Sequence, residues 1–224
     1  MNRRGFLRGA ATAVPALAAL AERPRRGAAQ ELAGMALPRP QIQGGRPLMR
    51  ALSDRKTIRN ISEEKLSPQM LSNLLWAAWG VNRAGNNGRT APSAMNVQEV
   101  SLYVFLEQGV YLFDEKAHSL KPVLAGDHRA KAGTQSGVAK APVNLVYVAD
   151  VGKYGTGLPA ESKTAWSNAH AGFIGQNVYL FAASEGLASW FRAFVDGPAV
   201  AQLLNLRPGQ KVLYGQTVGY PAKG

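Results

Sequence analysis

The densest group of reactive side chains in this sequence is Arg55-Lys56-Thr57-Ile58-Arg59, with three cations and one hydroxyl in five residues. These groups can converge on one phosphate if the backbone is extended, because residues 55, 57 and 59 then share a face. Arginine suits phosphate because its guanidinium donates bidentate hydrogen bonds. The segment predicts a phosphate site, and the alternative interpretation is a solvated basic stretch of surface.

Two further segments could hold a flat heteroaromatic ring. In residues 89–98 (RTAPSAMNVQ), small side chains would let a ring approach the backbone, and Ser, Asn and Gln could pair with its polar edge. Ser184-Glu185-Gly186 is typical of a helix that ends at a glycine, where backbone N–H groups could face such a ring. Taken alone, the first is equally typical of a loop that leads into a strand. The second is equally typical of an ordinary helix-to-strand turn.

Several other chemistries lack their residues. The chain has no cysteine, which excludes disulfides, zinc–thiolate sites, iron–sulfur clusters and cysteine nucleophiles. Its three histidines, His118, His128 and His170, are too far apart in sequence for a metal-binding motif. Neither a nucleophile elbow nor a glycine-rich nucleotide loop is present. A bound organic cofactor is therefore the expected carrier of any chemistry.

The strongly basic charge balance does not indicate a nucleic-acid partner. The net charge is +12, but the basic residues are scattered and form no stripe interleaved with aromatic side chains. Three of them, Arg3, Arg4 and Arg8, lie close to the first residue. We expect a solvated surface with one anion site and no nucleic-acid partner.

The start of the chain has the pattern of a twin-arginine export signal. Arg3-Arg4 is followed by a spacer, Phe6-Leu7 and Arg8, then by an uncharged stretch over residues 9–21 that ends in a small-x-small cleavage site. This stretch is shorter than the ~20 apolar residues that span a bilayer. Residues 1–21 are therefore predicted to be a signal peptide recognised by the twin-arginine machinery, which places the protein in the periplasm. That route carries folded proteins, often with a cofactor already bound.

The pattern along the rest of the chain predicts one α+β domain. Residues 22–45, rich in Pro, Gly, Arg and Ala, are interpreted as a linker or arm, and residues 46–224 as the domain. Helices are predicted over residues 47–54, from Pro68 onward with Ser67 as its N-cap, over 163–185 and over 198–204. Strands are predicted over residues 101–106, 110–113, 143–149, 188–195 and 211–218, and a loop over 83–92. The helix over 163–185 has little charge, so a dimer interface is expected to cover part of it.

Together, and in this order, these segments resemble the FMN-dependent nitroreductase family. The shared patterns are Arg-x-Ser/Thr-x-Arg at residues 55–59, Pro-Ser-x-x-Asn-x-Gln at 92–98, a long helix ending in Glu-Gly-Leu at 185–187, and Val-Gly-Tyr-Pro at 218–221. The segments 37–40 (LPRP) and 44–48 (GGRPL) also look like the branch that contains azoline (thiazole and oxazole) dehydrogenases. The resemblance covers about residues 37–223.

This resemblance implies a fold, an oligomer and a cofactor. The fold is a mixed, mainly antiparallel sheet flanked by helices, an α-β-α sandwich, in an obligate homodimer with two FMN molecules at its interface. Arg55, Lys56, Thr57 and Arg59 would hold the ribityl phosphate and the pyrimidine side of the flavin. Pro92, Ser93, Ala94 and Asn96 would reach the flavin of the partner subunit, and Glu185 and Gly186 would lie by flavin N5. Gln135 matches an amide on the isoalloxazine edge, and Lys223 a basic residue on the phosphate.

The implied function is two-electron hydride transfer through flavin N5, to or from a small nitro- or quinone-like organic substrate, with no catalytic side chain of its own. The azoline branch usually reads Pro-Ser-Ala-Gly and then Tyr-Pro, whereas this chain has Met95-Asn96-Val97-Gln98, which favours a reductase. Export would separate the enzyme from cytoplasmic nicotinamide donors, so the electron donor stays open. The alternatives are a flavin dehydrogenase that oxidises a peptide or small molecule, and a non-catalytic flavin-binding protein.

Overall fold

A computed structural model describes residues 32–223. Seven strands form one sheet in the order β1-β6-β5-β4-β7-β9-β8, and every neighbouring pair is antiparallel. Its strands are β1 (Met35–Ala36), β4 (Val100–Leu106), β5 (Gly109–Asp114), β6 (Ser119–Ala125), β7 (Val143–Asp150), β8 (Ala188–Arg192) and β9 (Gln210–Gly219). A separate small hairpin consists of β2 (Val81–Arg83) and β3 (Gly88–Arg89). The expected α+β architecture is confirmed.

Four helices flank this sheet: α1 (Leu48–Asp54), α2 (Pro68–Trp79), α3 (Ala160–Glu185) and α4 (Gly197–Leu203). Helix α2 begins where its sequence predicts, because the Ser67 side chain accepts a hydrogen bond from the Met70 amide at 3.1 Å. A proline follows at the first helical position, where its missing N–H costs nothing.

Helix α3 is the longest element, with 26 residues, or roughly 39 Å at 1.5 Å per residue. It ends at Gly186, whose φ of 71° lies in the left-handed region, and the next amide, of Leu187, returns to the Ala182 carbonyl at 2.8 Å. Glycine takes this conformation without the steric cost that a Cβ would add. The predicted end of this helix is therefore confirmed.

The sheet has a hydrophobic core on each face. Because side chains alternate along a strand, Leu145 and Tyr147 of β7 pack in the core beneath α2 and α3, whereas Val146 and Val148 pack in the second core with α4. These four side chains are essentially inaccessible to water. The apolar run of β7, read from the sequence as a buried strand, is explained by this burial on both faces.

Residues 32–45, the described part of the predicted arm, lie against the domain. Strand β1 pairs with β6 at one edge of the sheet, and Leu37 is buried in the first core. The Ser72 hydroxyl of α2 donates to the Pro38 carbonyl, and the Gln41 amide donates to Asn73. The arm therefore follows α2. The predicted export signal, residues 1–21, and residues 22–31 of the arm lie outside the described part of the chain.

Three sequence predictions need correction. The predicted loop at 83–92 contains strand residues of the β2–β3 hairpin, which turns at Asn87 with a φ of 51°. Strand β6 was not predicted, because Pro122 and its exposed neighbours hide the alternation of a strand that lies next to the short edge strand β1 and carries a bulge at this point. Strand β8 ends at Arg192 rather than at residue 195. Within residues 32–223, no helix is long and apolar enough to cross a membrane.

Candidate functional site

The segment Arg55–Arg59, called the cationic strip below, runs directly after α1 along the outer edge of strand β8. The Ile58 amide donates to the Ser189 carbonyl at 3.0 Å, which fixes the strip beside the sheet. The Tyr179 hydroxyl accepts from the Phe191 amide at 2.8 Å and lies 3.0 Å from the Thr57 hydroxyl. A tyrosine of α3 thus links the middle of the strip to strand β8.

The strip meets the C-terminal end of α3. Lys56 and Gly186 line one cleft of about 450 Å³, together with Tyr179 and two arginines of the α1 region, Arg46 and Arg50. Both of these arginines bind Asp54, at 2.6 and 2.9 Å. A Cβ placed at Gly186 would have no heavy atom within 4 Å, so the backbone of this turn is open to approach.

The charge of the strip is not neutralised by carboxylates. Within residues 32–223, Arg55, Lys56 and Arg59 form no ion pair. The Arg55 guanidinium instead lies over the Tyr179 ring, 5.4 Å from its centroid. Such uncompensated cations beside a cleft favour an anionic ligand.

The C-terminal segment lies alongside the residues that follow the strip. The Ala222 amide donates to the Asn60 carbonyl at 3.0 Å, and the Ser62 amide donates to the Tyr220 carbonyl at 2.8 Å. Lys223 follows Ala222 and Arg59 precedes Asn60, so these two residues are brought to the same end of the strip.

Pro92, Ser93, Ala94 and Asn96 are held at another place on α3. The Ala94 amide donates to His170 Nε2 at 2.9 Å. His170 and Glu185 are fifteen positions apart on α3, or roughly 22 Å along its axis. One protomer therefore does not bring residues 92–96 and the turn at Glu185–Gly186 together.

Gln135 lies apart from both groups. It belongs to the segment that packs on the α4 face of the sheet and lines a cleft with Thr134, Asp196 and Ala199. Its side-chain Oε1 is buried and has no hydrogen-bond partner within the part of the chain that the structure describes. Its proposed place on the isoalloxazine edge stays a prediction.

A larger cleft, of about 650 Å³, lies beside Glu185. The arm forms one wall, and there the Arg46 amide donates to the Ser184 hydroxyl at 2.7 Å. Residues of α2 and α3 form the other walls, and the lining is mostly uncharged: Gln41, Asn73, Trp76, Asn82, Asn177 and Phe181. This cleft suits a neutral, partly polar organic molecule.

Sequence reasoning missed some residues of these sites. Tyr179 was not among the predicted site residues, yet its hydroxyl reaches the strip, and only its position six residues before Glu185 hinted at this. Arg46 was assigned to the edge of the domain, yet it lines both clefts at the end of α3. Glu99, which is fully buried and binds His170 at 2.8 Å, carried no recognisable motif.

Arg192 is buried away from these clefts. Its guanidinium donates to the Thr217 hydroxyl, the Ala132 carbonyl and the Asn144 side chain, at 2.5 to 3.3 Å. Burial lowers the pKa of Arg192 to about 10, so it stays charged at neutral pH. It ties β8 to β7 and β9, which is a structural role. Residues 32–223 contain no group of three or more His, Cys, Asp or Glu side chains that could hold a metal ion.

Comparison with known proteins identifies the family. The sequence model described as the nitroreductase family matches residues 52–220. This chain therefore belongs to the nitroreductase family, which supports its assignment as an oxidoreductase.

Individual relatives agree with this assignment. A predicted nitroreductase of Methanocaldococcus jannaschii is 30% identical over 148 residues, which cover 62% of this chain and 74% of the relative. The crystal structure of a predicted nitroreductase from Ralstonia eutropha is 36% identical with a TM-score of 0.81, and the match covers 85% of this chain and 90% of that one. The NADPH:FMN oxidoreductase of Vibrio harveyi, solved with NAD⁺, shares the fold at 19% identity and a TM-score of 0.58, over 79% of this chain and 69% of that one.

Proposed function

We propose that this protein is an FMN-dependent oxidoreductase that transfers two electrons as hydride to or from a small organic molecule. The observation that carries the proposal is the cationic strip: Arg55, Lys56 and Arg59 lack carboxylate partners in the described residues, and Lys56 shares a cleft with the open turn at Gly186. A relative of the same fold, from Vibrio harveyi, is named as an FMN oxidoreductase.

The residues present fit a flavin mononucleotide. The phosphate is an anion, and the strip supplies three cations, Arg55, Lys56 and Arg59, with Lys223 brought beside Arg59. The flavin ring is flat, and the turn at Gly186 presents backbone with no neighbouring side chain that would block a ring. A helix of 26 residues supports this turn from behind, so the ring would meet a fixed surface.

When bound, FMN would supply the hydride chemistry at N5. The chain would bind the phosphate through the strip, fix the strip through the Thr57–Tyr179 contact and place positive charge near the pyrimidine edge. No side chain of the site is required to move a proton in a hydride step. Glu185 would act through its backbone, because its carboxylate accepts a hydrogen bond from the neighbouring Ser184 hydroxyl at 3.3 Å.

We also propose that the active form is a homodimer. Residues 92–96 lie roughly 22 Å from the turn at Glu185–Gly186 along α3, so a second copy must bring its own residues 92–96 to this turn if both contact one flavin. Two large apolar side chains flank the Ala94–His170 contact and are exposed: Met95 is 66% exposed and Phe173 46%. A partner subunit would cover them.

The cleft of about 650 Å³ beside Glu185 is the proposed substrate site. Trp76 offers a flat apolar face, and the amides of Gln41, Asn73, Asn82 and Asn177 offer hydrogen bonds without charge. A planar nitro- or quinone-like molecule fits this chemistry. The arm that forms one wall lies outside the residues matched by the family, so it would adapt the site to this chain's own substrate.

The first experiment is an absorption spectrum of the purified full chain, followed by release and quantification of any chromophore. We expect about one FMN per chain and a dimer by light scattering. A colourless protein that fails to take up added FMN would disprove the proposal. If FMN is present, its reduction by NADPH, by artificial donors or by candidate peptides would separate a reductase from the alternative dehydrogenase, which the arm's similarity to azoline dehydrogenases suggests.

Export by the twin-arginine route is a separate proposal, based on residues 1–21. We expect the protein in the periplasmic fraction of a host that has this machinery. Replacing Arg3 and Arg4 by lysine should hold it in the cytoplasm, because the machinery requires the paired arginines. Equal distribution of both forms would argue against this route.

A further inference from the structure

The segment 92–98 has a backbone that its own side chains do not favour. Met95, Asn96 and Gln98 all have positive φ angles, of 53°, 53° and 52°. Asparagine tolerates this left-handed region, but Met and Gln rarely enter it. Such a conformation persists only where the surroundings hold it.

Some of the holding contacts come from the segment and its neighbours in sequence. The Gln98 amide donates to the Ser93 hydroxyl at 3.1 Å, and the Gln98 side chain donates to the Asn87 carbonyl at 2.8 Å. The contact with α3 is different, because it holds the backbone of Ala94 through a titratable ring, His170. This ring is buried, at 4% exposure.

The chemistry of this contact fixes the protonation of His170. The Ala94 N–H can only donate, so Nε2 must present a lone pair to accept it at 2.9 Å. The ring is then the neutral tautomer with its proton on Nδ1. That proton is directed to Glu99, whose Oε1 lies 2.8 Å from Nδ1.

Glu99 is placed so that it acts mainly on this ring. Its side chain is fully buried, and its second oxygen, Oε2, has no partner in the described part of the chain. The hydroxyl of Tyr154 lies 3.5 Å from Nδ1 and 3.4 Å from Ser167, and burial raises the pKa of Tyr154 to about 12, so it stays neutral. Phe173 also lies near the ring, with centroids 6.2 Å apart.

We infer that Glu99 and His170 are positioning residues: Glu99 selects the Nδ1–H tautomer, and the free Nε2 lone pair then holds the Ala94 amide and with it the segment 92–98. Neither side chain needs to touch cofactor or substrate. The positioning role itself does not depend on the proposed function. Its effect on FMN binding rests on the proposed function, because residues 92–96 are proposed to contact the partner's flavin.

Two measurements test this on the full chain as purified. The first is the ¹⁵N spectrum of the His170 ring in the unaltered protein at neutral pH. We expect protonated Nδ1 and unprotonated Nε2. A proton on Nε2 would overturn the inference, and this measurement needs no variant to fold.

The second is amide hydrogen exchange of residues 92–98 in His170→Phe, which keeps a ring but removes the acceptor. We expect exchange there to rise roughly tenfold, as for the loss of one hydrogen bond. The strip, residues 55–59, should not change. Glu99→Met, which removes the acceptor for Nδ1, should raise the same exchange and move the ring proton to Nε2. Thr164→Ala, which removes a side-chain hydrogen bond of the same helix that involves neither His170 nor Glu99, is the matched control, and it should leave both readouts as they are. Exchange in His170→Phe within twofold of the unaltered protein would overturn the inference.

FMN affinity, measured on the same variants, separates the inference from the proposed function. Weaker FMN binding together with faster exchange supports both. Faster exchange with unchanged FMN affinity supports the positioning role and disproves the assignment of residues 92–96 to the flavin site.

Discussion

Two regions along α3, one at its C-terminal end and one near its middle, differ in exposure, charge and hydrogen bonding. At its C-terminal end, the cationic strip and Gly186 form an open surface, and the strip's cations form no ion pair within residues 32–223. Near its middle, Glu99, His170 and the Ala94 amide form a buried chain of hydrogen bonds of 2.8 and 2.9 Å. We propose that the first receives a ligand, whereas the second forms its hydrogen bonds within the described part of the chain, except at Glu99 Oε2.

This difference predicts how each region responds to mutation. Surface charges contribute little to folding, because water solvates them well in the unfolded chain. Buried polar groups contribute strongly, because an orphaned partner keeps the full cost of its lost solvation. The strip should therefore affect ligand binding without affecting stability, and the buried cluster should affect both.

The largest expected effect is on stability, from His170→Ala. It leaves the Glu99 side chain buried without its hydrogen-bond donor, which should lower the free energy of unfolding by about 3 kcal/mol. Urea denaturation would measure this. Arg59→Ala, in the exposed strip, is the control and should change stability by less than about 0.5 kcal/mol. Equal losses in the two variants would remove the distinction between the regions.

The next effect is on cofactor affinity, from Arg55→Ala. Loss of charge-assisted hydrogen bonds to the phosphate should weaken FMN binding by roughly 10- to 100-fold. Titration of the apoprotein with FMN, followed by fluorescence, gives the dissociation constant. Lys211→Ala removes an exposed cation at the other end of the protein's last strand and should bind FMN normally. A fully loaded Arg55→Ala protein would disprove the assignment of the strip.

Gly172 within α3 and Gly186 at its C-terminal cap allow the effect of an added Cβ on stability to be compared in one helix. Gly186→Ala must hold a Cβ at a φ of 71° and should lose about 1 kcal/mol of stability. Gly172→Ala, within the helix and with no atom within 4 Å of the new Cβ, should gain about 0.5–1 kcal/mol. Thermal unfolding of both variants is the measurement. A gain in Gly186→Ala would contradict the backbone conformation of the turn.

The smallest expected effect is a pH-dependent change in stability at the contact between the arm and α2. Burial lowers the pKa of His118, whose Nε2 lies 2.7 Å from the Ser72 hydroxyl that holds Pro38. The unfolded chain then binds the proton more readily than the folded protein. The stabilising contribution is complete above the unfolded pKa of about 6.5 and is lost as pH falls through the folded pKa.

We expect His118→Gln to remove this component, so the difference in stability between the two proteins should shrink as the solution becomes acidic. Denaturant midpoints at several pH values between 5 and 8 would show it. A difference that is constant with pH would mean that His118 does not titrate on unfolding.

Local sequence predicted a large part of the fold. The cap at Ser67, the buried run of β7 and the glycine that ends α3 each depend on a few adjacent residues, so their patterns could be read directly. Strand β6 could not, because its pairing with β5 through a bulge depends on a neighbour rather than on its own alternation.

The candidate site divides in the same way. The residue types at 55–59 alone predict a phosphate site, because charge and hydrogen-bonding geometry belong to the side chains, and this role stays a prediction. Its attachment to Tyr179, 122 residues away, and the contact of Glu99 with His170, 71 residues away, needed the packed structure. Such contacts arise because one long helix crosses the sheet and brings distant segments to its surface, and no local pattern records which of them will meet.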